Sequence, residues 1–103
     1  MIHVLAFITA KPGKRADILD AFAKNVPAVL AEEGCISYEA VVDVPAFGPI
    51  QTPVGPDTFV VVERWASGDA LKAHSASAHM AAYGQTVAPW LDKRVIHVLE
   101  VAQ

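Results

Sequence analysis

Residues 59–62 read Phe-Val-Val-Val and residues 2–8 read Ile-His-Val-Leu-Ala-Phe-Ile, so two segments of this chain are apolar at both strand parities. Successive side chains of a strand point to opposite faces of its sheet, so such segments want cover above and below. The chain is only 103 residues long, which predicts one domain spanning residues 1–103 with one core. Its residues are 53% hydrophobic, too apolar for disorder. A mean hydropathy of +0.35 in so small a domain points to burial against a second chain.

The segments between these strands change period. Over residues 14–33, Ile18, Leu19, Phe22, Val26, Val29 and Leu30 project into an arc of roughly 120°, which predicts a helix with one core face. Pro27 projects opposite that arc, where its missing N–H faces solvent, and Gly34 suits a left-handed stop. Residues 35–44 alternate, with Ile36, Tyr38, Ala40 and Val42 on one side and Ser37, Glu39, Val41 and Asp43 on the other. Residues 44–57 hold four of the seven prolines with Gly48 and Gly55, a long loop between antiparallel strands. It exceeds the roughly two to five residues of an ordinary hairpin, long enough to lid a cleft or to reach a partner chain.

Residues 58–65 form a central strand. Ser67-Gly68-Asp69 then starts a short helix running to His74, and Ser75-Ala76-Ser77 allows a restart over residues 77–87, which Pro89 ends. The last strand is expected over residues 95–101. The order β-α-β, loop, β-α-β predicts an α+β ferredoxin-like antiparallel sheet with helices on one face. Strands one, three and four are apolar at both parities, so the face without helices needs cover too. Two copies packed sheet to sheet, a homodimeric α/β barrel, would supply it.

Several classes drop out. The net charge is −3 without any Lys/Arg cluster, which leaves no nucleic-acid footprint. Cys35 is the only cysteine, so neither an internal disulfide nor a thiolate metal cage is expected, and a reducing cytoplasm fits best. The apolar opening lacks a basic n-region, and no apolar run approaches the roughly 20 residues that span a bilayer. There is no G-x-G-x-x-G, P-loop or G-x-S-x-G. His74 and His79 are five apart, which on a continuous helix separates them by roughly 140°, so the pair predicts no metal site.

Glu63-Arg64-Trp65-Ala66-Ser67, then Ala70-Leu71-Lys72-Ala73-His74 and Ser77-Ala78-His79, resemble the antibiotic biosynthesis monooxygenase family of small dimeric α/β-barrel proteins. That family's pattern is E-x-W-x-S, a short helix with A-L-x-x-H, and a second histidine beyond a small residue. Gly34-Cys35-Ile36-Ser37-Tyr38 is similar to its G-C-x-x-Y turn into strand two. The resemblance implies a cofactor-free monooxygenase that oxidises a small quinol or polycyclic phenol with dioxygen, the substrate lying in an apolar cleft between sheet and helices. It implies His74 as catalytic base, since an imidazole with an ordinary pKa near 6.5 suits removal of a phenolic proton. Trp65, His79, Tyr83 and Phe22 are then expected to line the substrate cleft, with neither cofactor nor metal required. The family's haem-degrading branch fits poorly, because strand one has no asparagine and the helix position expected to carry the haem ligand falls at Tyr83-Gly84; only His79, through a shifted geometry, would remain.

Plainer readings stand beside these. His74 could cap its short helix, His79 could be a surface residue, and Trp65, Tyr38 and Tyr83 could be core or interface packing. His3 and His97 fall on strands, at the dimer face or an edge. Glu63 is the most surprising charge, since it shares its parity with Phe59 and Val61; it pairs across the dimer or sits in the cleft. A non-catalytic dimer that binds a small aromatic ligand is the alternative function.

Overall fold

The computed structural model describes residues 1–103. The chain runs β1 (Ile2–Ala10), α1 (Arg15–Leu30), β2 (Cys35–Val41), β3 (Thr58–Trp65), α2 (Gly68–Ser75), α3 (Ala78–Val87), a 3-10 turn, Ala88–Trp90, and β4 (Leu91–Leu99). The sheet order is β2-β3-β1-β4 and each neighbouring pair is antiparallel, the ferredoxin-like arrangement. Helices α2 and α3 start where serines cap them: Ser67 Oγ accepts from Ala70 N–H and Ser77 Oγ from Met80 N–H.

Register decides which side chains meet. Ile2, Val4, Ala6 and Ile8 of β1 lie opposite Trp65, Glu63, Val61 and Phe59 of β3, and all eight face the helices. Trp65, Phe59, Ile18, Val4 and Val29 are the largest side chains wholly removed from water. Pro27 is exposed, so its missing donor is on the solvent side. The other sheet face carries Leu5, Phe7, Val60, Val62, Val95, His97 and Leu99 with no helix over it. Here the expectation that β1 is buried on both sides needs correction: Val4, Ala6 and Ala10 are buried, whereas Leu5 and Phe7 are only half-buried, because a single chain covers one face.

Three other expectations shift. β4 starts at Leu91, not at residue 95, and ends at Leu99, because backbone pairing of Ala10 with Leu91 and of Thr9 with Lys93 extends it through Asp92-Lys93-Arg94, polar residues that an edge strand tolerates. Ile36 leaves the core side because the ladder shifts between Cys35 and Ser37, and it is 45% exposed. Leu30, the last residue of α1, is 51% exposed.

Residues 42–57 form neither strand nor helix, and their base is tied down. The Asp43 carboxylate accepts the N–H groups of Val54 and Gly55, and Arg15 donates to the carbonyls of Gly55 and Thr58. Val44, Phe47 and Ile50 stay open to solvent on this loop.

Gly34 governs how closely α2 approaches the turn between α1 and β2. Its φ is +84°, and an added Cβ would lie 2.6 Å from Ala70 Cβ, while its carbonyl accepts Ala66 N–H at 2.8 Å. Gly34→Ala combines left-handed strain with a clash that α2 must relieve by moving. Chemical denaturation should show a loss of about 2 kcal/mol or more.

Candidate active site

Between the helices and the helix side of the sheet lies a cavity of about 370 Å³, within the size range of small-molecule sites. Val4, Ala6 and Ile8 of β1 and Val61 of β3 form its floor, Phe22, Leu71, Met80 and Tyr83 its roof, and Ile96 and Arg94 its β4 side. Glu63, Tyr38 and His74 bring the polar chemistry. A second hollow of about 410 Å³ lies on the uncovered sheet face under Val54, but it is shallow and His97 is the only imidazole lining it.

His74 is 4% exposed. It does not cap its helix by a side-chain bond; its ring packs against Trp65 with centroids 4.6 Å apart and against Tyr38 at 5.5 Å. Nδ1 lies 2.6 Å from Glu32 Oε2. A carboxylate can only accept, so Nδ1 carries the proton and a neutral ring presents the Nε2 lone pair. Nε2 makes no hydrogen bond within the chain, and the ring lines the cavity. Such an arrangement can serve as an oriented general base backed by an anion, the histidine–carboxylate logic of many hydrolytic sites.

Glu32 was not among the residues singled out from sequence. It sits in the turn after α1, held by Glu32 N–H to the Val29 carbonyl and Cys35 N–H to the Glu32 carbonyl. The close contact at Gly34 brings α2, and with it His74, onto this turn. No hydrophobic period marks such a residue; only its place beside a glycine turn signals it.

Glu63 sits in the cleft and settles the alternative left open above. It is 7% exposed and its Oε1 accepts Trp65 Nε1–H at 2.9 Å. Burial pushes its carboxyl above the usual 4.5, opposed by the Trp65 hydrogen bond and by His74, and the Glu32 charge pushes it further up. The folded chain therefore holds a proton that the unfolded chain releases, so stability falls as pH rises from the ordinary glutamate range through the raised value. Glu63→Gln keeps an oxygen for Trp65 and removes that fall. Thermal melts from about pH 4 to about pH 8 should give a flatter Tm profile for the variant and a higher Tm than wild type at the alkaline end.

The remaining residues expected in the cleft divide. Phe22 and Tyr83 line it; Phe22 stacks on Tyr38 at 5.1 Å and meets Tyr83 edge-on at 6.4 Å. Burial pushes the Tyr83 phenol up to about 12 and raises Tyr38 further, with the Glu63 charge adding to burial there, so both stay protonated donors at neutral pH. Trp65 does not line the cavity: it is wholly buried behind His74, because its β3 position faces the core under α2. His79 is also outside it. The break between α2 and α3 turns its ring toward the cleft between α1 and α3, beside Lys24, Asn25 and Tyr83. Its Nε2 stands 3.3 Å from Glu32 Oε1 without forming a hydrogen bond. No group of three or more His, Cys, Asp or Glu side chains is arranged to hold a metal ion. The haem reading through His79 does not fit this placement. No helix is long and apolar enough to cross a membrane.

Residues 1–86 match the antibiotic biosynthesis monooxygenase family. Over 89 residues the chain is 44% identical to the Escherichia coli (strain K12) protein named "Probable quinol monooxygenase YgiN", which covers 84% of this chain and 85% of that protein. Among solved structures, PA3566 from Pseudomonas aeruginosa has a TM-score of 0.81 at 22% identity over 99% of this chain and 94% of its own. Rv0793 from Mycobacterium tuberculosis has a TM-score of 0.79 at 23% identity over 99% and 95%. At such identities the structural likeness speaks to the fold, and the match along the sequence carries the assignment: this chain belongs to the antibiotic biosynthesis monooxygenase family.

Proposed function

We propose that this protein is a cofactor-independent quinol monooxygenase, acting as a homodimer in the cytoplasm on a small quinol or polycyclic phenol. The observation that carries the reading is the Glu32–His74 pair at the polar end of an apolar cavity, with Nε2 of the imidazole unpaired. The name of the Escherichia coli relative points to the same substrate class. The chemistry balances without an outside reductant: a hydroquinone and dioxygen give a hydroxyquinone and water, and the substrate supplies every electron. His74 Nε2 takes the phenolic proton, Glu32 stabilises the imidazolium that forms, and the electron-rich phenolate reduces dioxygen. Phe22, Tyr83 and Val61 hold the ring and exclude water.

An oxygen-electrode screen of reduced naphthoquinones and phenols, with neither metal nor flavin added, tests this reading. Uptake well above the spontaneous rate supports it. Saturable tryptophan quenching without uptake would instead mark a binding protein for small aromatics.

The uncovered sheet face supports the dimer. Val41 and Val95 are 40% and 46% exposed there, beside half-buried Leu5, Phe7 and Val62. At about 25 cal/mol per Å² of apolar area, leaving this face in water is costly. Sedimentation equilibrium should give twice the 11.0 kDa chain mass, and Val62→Arg, at the middle of the face, should give the single-chain mass; a monomeric wild type overturns the dimer. Limited proteolysis of residues 44–57 then separates a free lid from a protected arm.

A further inference from the structure

Removal of the phenolic proton uses His74 and Glu32 and leaves Glu63 without a task. This carboxyl is 7% exposed in the same cavity. Its Oε1 is held by Trp65, and Oε2 makes no hydrogen bond within the chain. The charged and titratable groups around it are Tyr38, opposite it on β2, Cys35 at the start of β2, His74 on α2 and Glu32 in the turn before β2. Tyr83 of α3 and Arg94 of β4 line the same cavity. Of these two glutamates, Glu32 is hydrogen-bonded to the imidazole, whereas the one hydrogen-bond partner of Glu63 is a neutral indole. Burial pushes the Glu63 carboxyl up, toward the protonated form that a donor needs.

We propose that Glu63 is the proton donor of this site, delivering its proton through Oε2 to the peroxide that forms on the substrate ring. The step rests on the quinol reading above. After His74 removes the phenolic proton, a ring carbon next to the resulting carbonyl bonds dioxygen as a peroxide anion, and Glu63 protonates the outer oxygen. The Glu63 carboxylate then takes the hydrogen of that ring carbon as a proton. The C–H electron pair becomes the second bond of a new carbonyl, the O–O bond breaks, and the departing hydroxide takes the proton from the His74 imidazolium to leave as water. Both side chains return to their starting states, and hydroquinone plus dioxygen has become hydroxyquinone plus water. The Trp65 bond matters because it fixes the carboxyl so that the free oxygen is the one offered.

The test uses the intact protein and Glu63→Gln, with 2-naphthol as a binding probe under argon, where no dioxygen can turn it over. Carbon-13 NMR of the Glu63 carboxyl should show titration above the ordinary glutamate value and a resonance that moves when 2-naphthol binds. Glu63→Gln can still accept from Trp65 and donate to a ligand, so it should bind 2-naphthol within about threefold of wild type. Its kcat with a reduced naphthoquinone should fall about 100-fold, and the alkaline limb of its pH profile should vanish. Ordinary titration with no response to 2-naphthol overturns the proposal, as does a Glu63→Gln variant with wild-type kcat and pH profile. A wild type that binds 2-naphthol but consumes no dioxygen with reduced naphthoquinones or phenols overturns the quinol reading and the donor step together; wild-type turnover in Glu63→Gln overturns the donor step alone.

Discussion

Replacing His74 with alanine should lower protein-dependent dioxygen uptake with a reduced naphthoquinone by at least tenfold, and by about 100- to 10,000-fold if the imidazole is the general base throughout. The magnitude follows from position: the ring is 4% exposed, it lines the cavity, and its Nε2 is the one unpaired nitrogen base there, since Tyr38 and Tyr83 are held as phenols. The loss should appear in kcat rather than KM, because the apolar walls that hold the ring remain. Removing the imidazole opens space beside Trp65, so added imidazole should restore part of the rate, which a merely unfolded variant could not show. Uptake unchanged from wild type would remove His74 from the mechanism.

The second large effect belongs to Glu32. Glu32→Ala removes the only hydrogen-bond partner of His74 Nδ1, freeing the ring to rotate or adopt the wrong tautomer and leaving the imidazolium without its counter-charge. Second-layer carboxylates of this kind are worth about 10- to 100-fold in activity. Glu32→Gln should fall between wild type and Glu32→Ala, since its amide oxygen still accepts from Nδ1 but carries no charge. The discriminating measurement is the double variant. If Glu32 acts through His74, Glu32→Ala in a His74→Ala background should change kcat little further. Losses that simply multiply would show that Glu32 acts on its own.

The parts of this fold that could be read from sequence are those in which a periodic side-chain pattern meets a periodic backbone. The two parities of residues 59–62 marked the central strand, the arc from Ile18 to Val29 marked the buried face of α1, and Ser67 and Ser77 marked both later helix starts. Where pairing overrode pattern, the reading slipped. β4 starts within a polar stretch because Ala10 pairs with Leu91, and Ile36 turns outward at a ladder shift that no single strand reveals.

The site divides along the same line. His74, Phe22 and Tyr83 could be named from motif and helical spacing, and the parity of Glu63 already made it anomalous. Glu32 could not, because its role depends on α2 meeting the α1–β2 turn, a contact between segments some 40 residues apart that Gly34 permits. Trp65 is instructive in the opposite sense. Its sequence context placed it at the site, yet its share in the geometry is indirect: it packs on one face of His74 and holds Glu63 by its N–H.

The most direct test of the central claim is a turnover of reduced naphthoquinone under oxygen-18 gas by metal-stripped, flavin-free protein, with the product read by mass spectrometry. Oxidation routed through the Glu32–His74 cavity predicts a hydroxyquinone carrying one labelled atom, with the second label in water, and its loss in His74→Ala. Formation of unhydroxylated quinone and labelled hydrogen peroxide, or label incorporation unchanged in His74→Ala, would contradict the account.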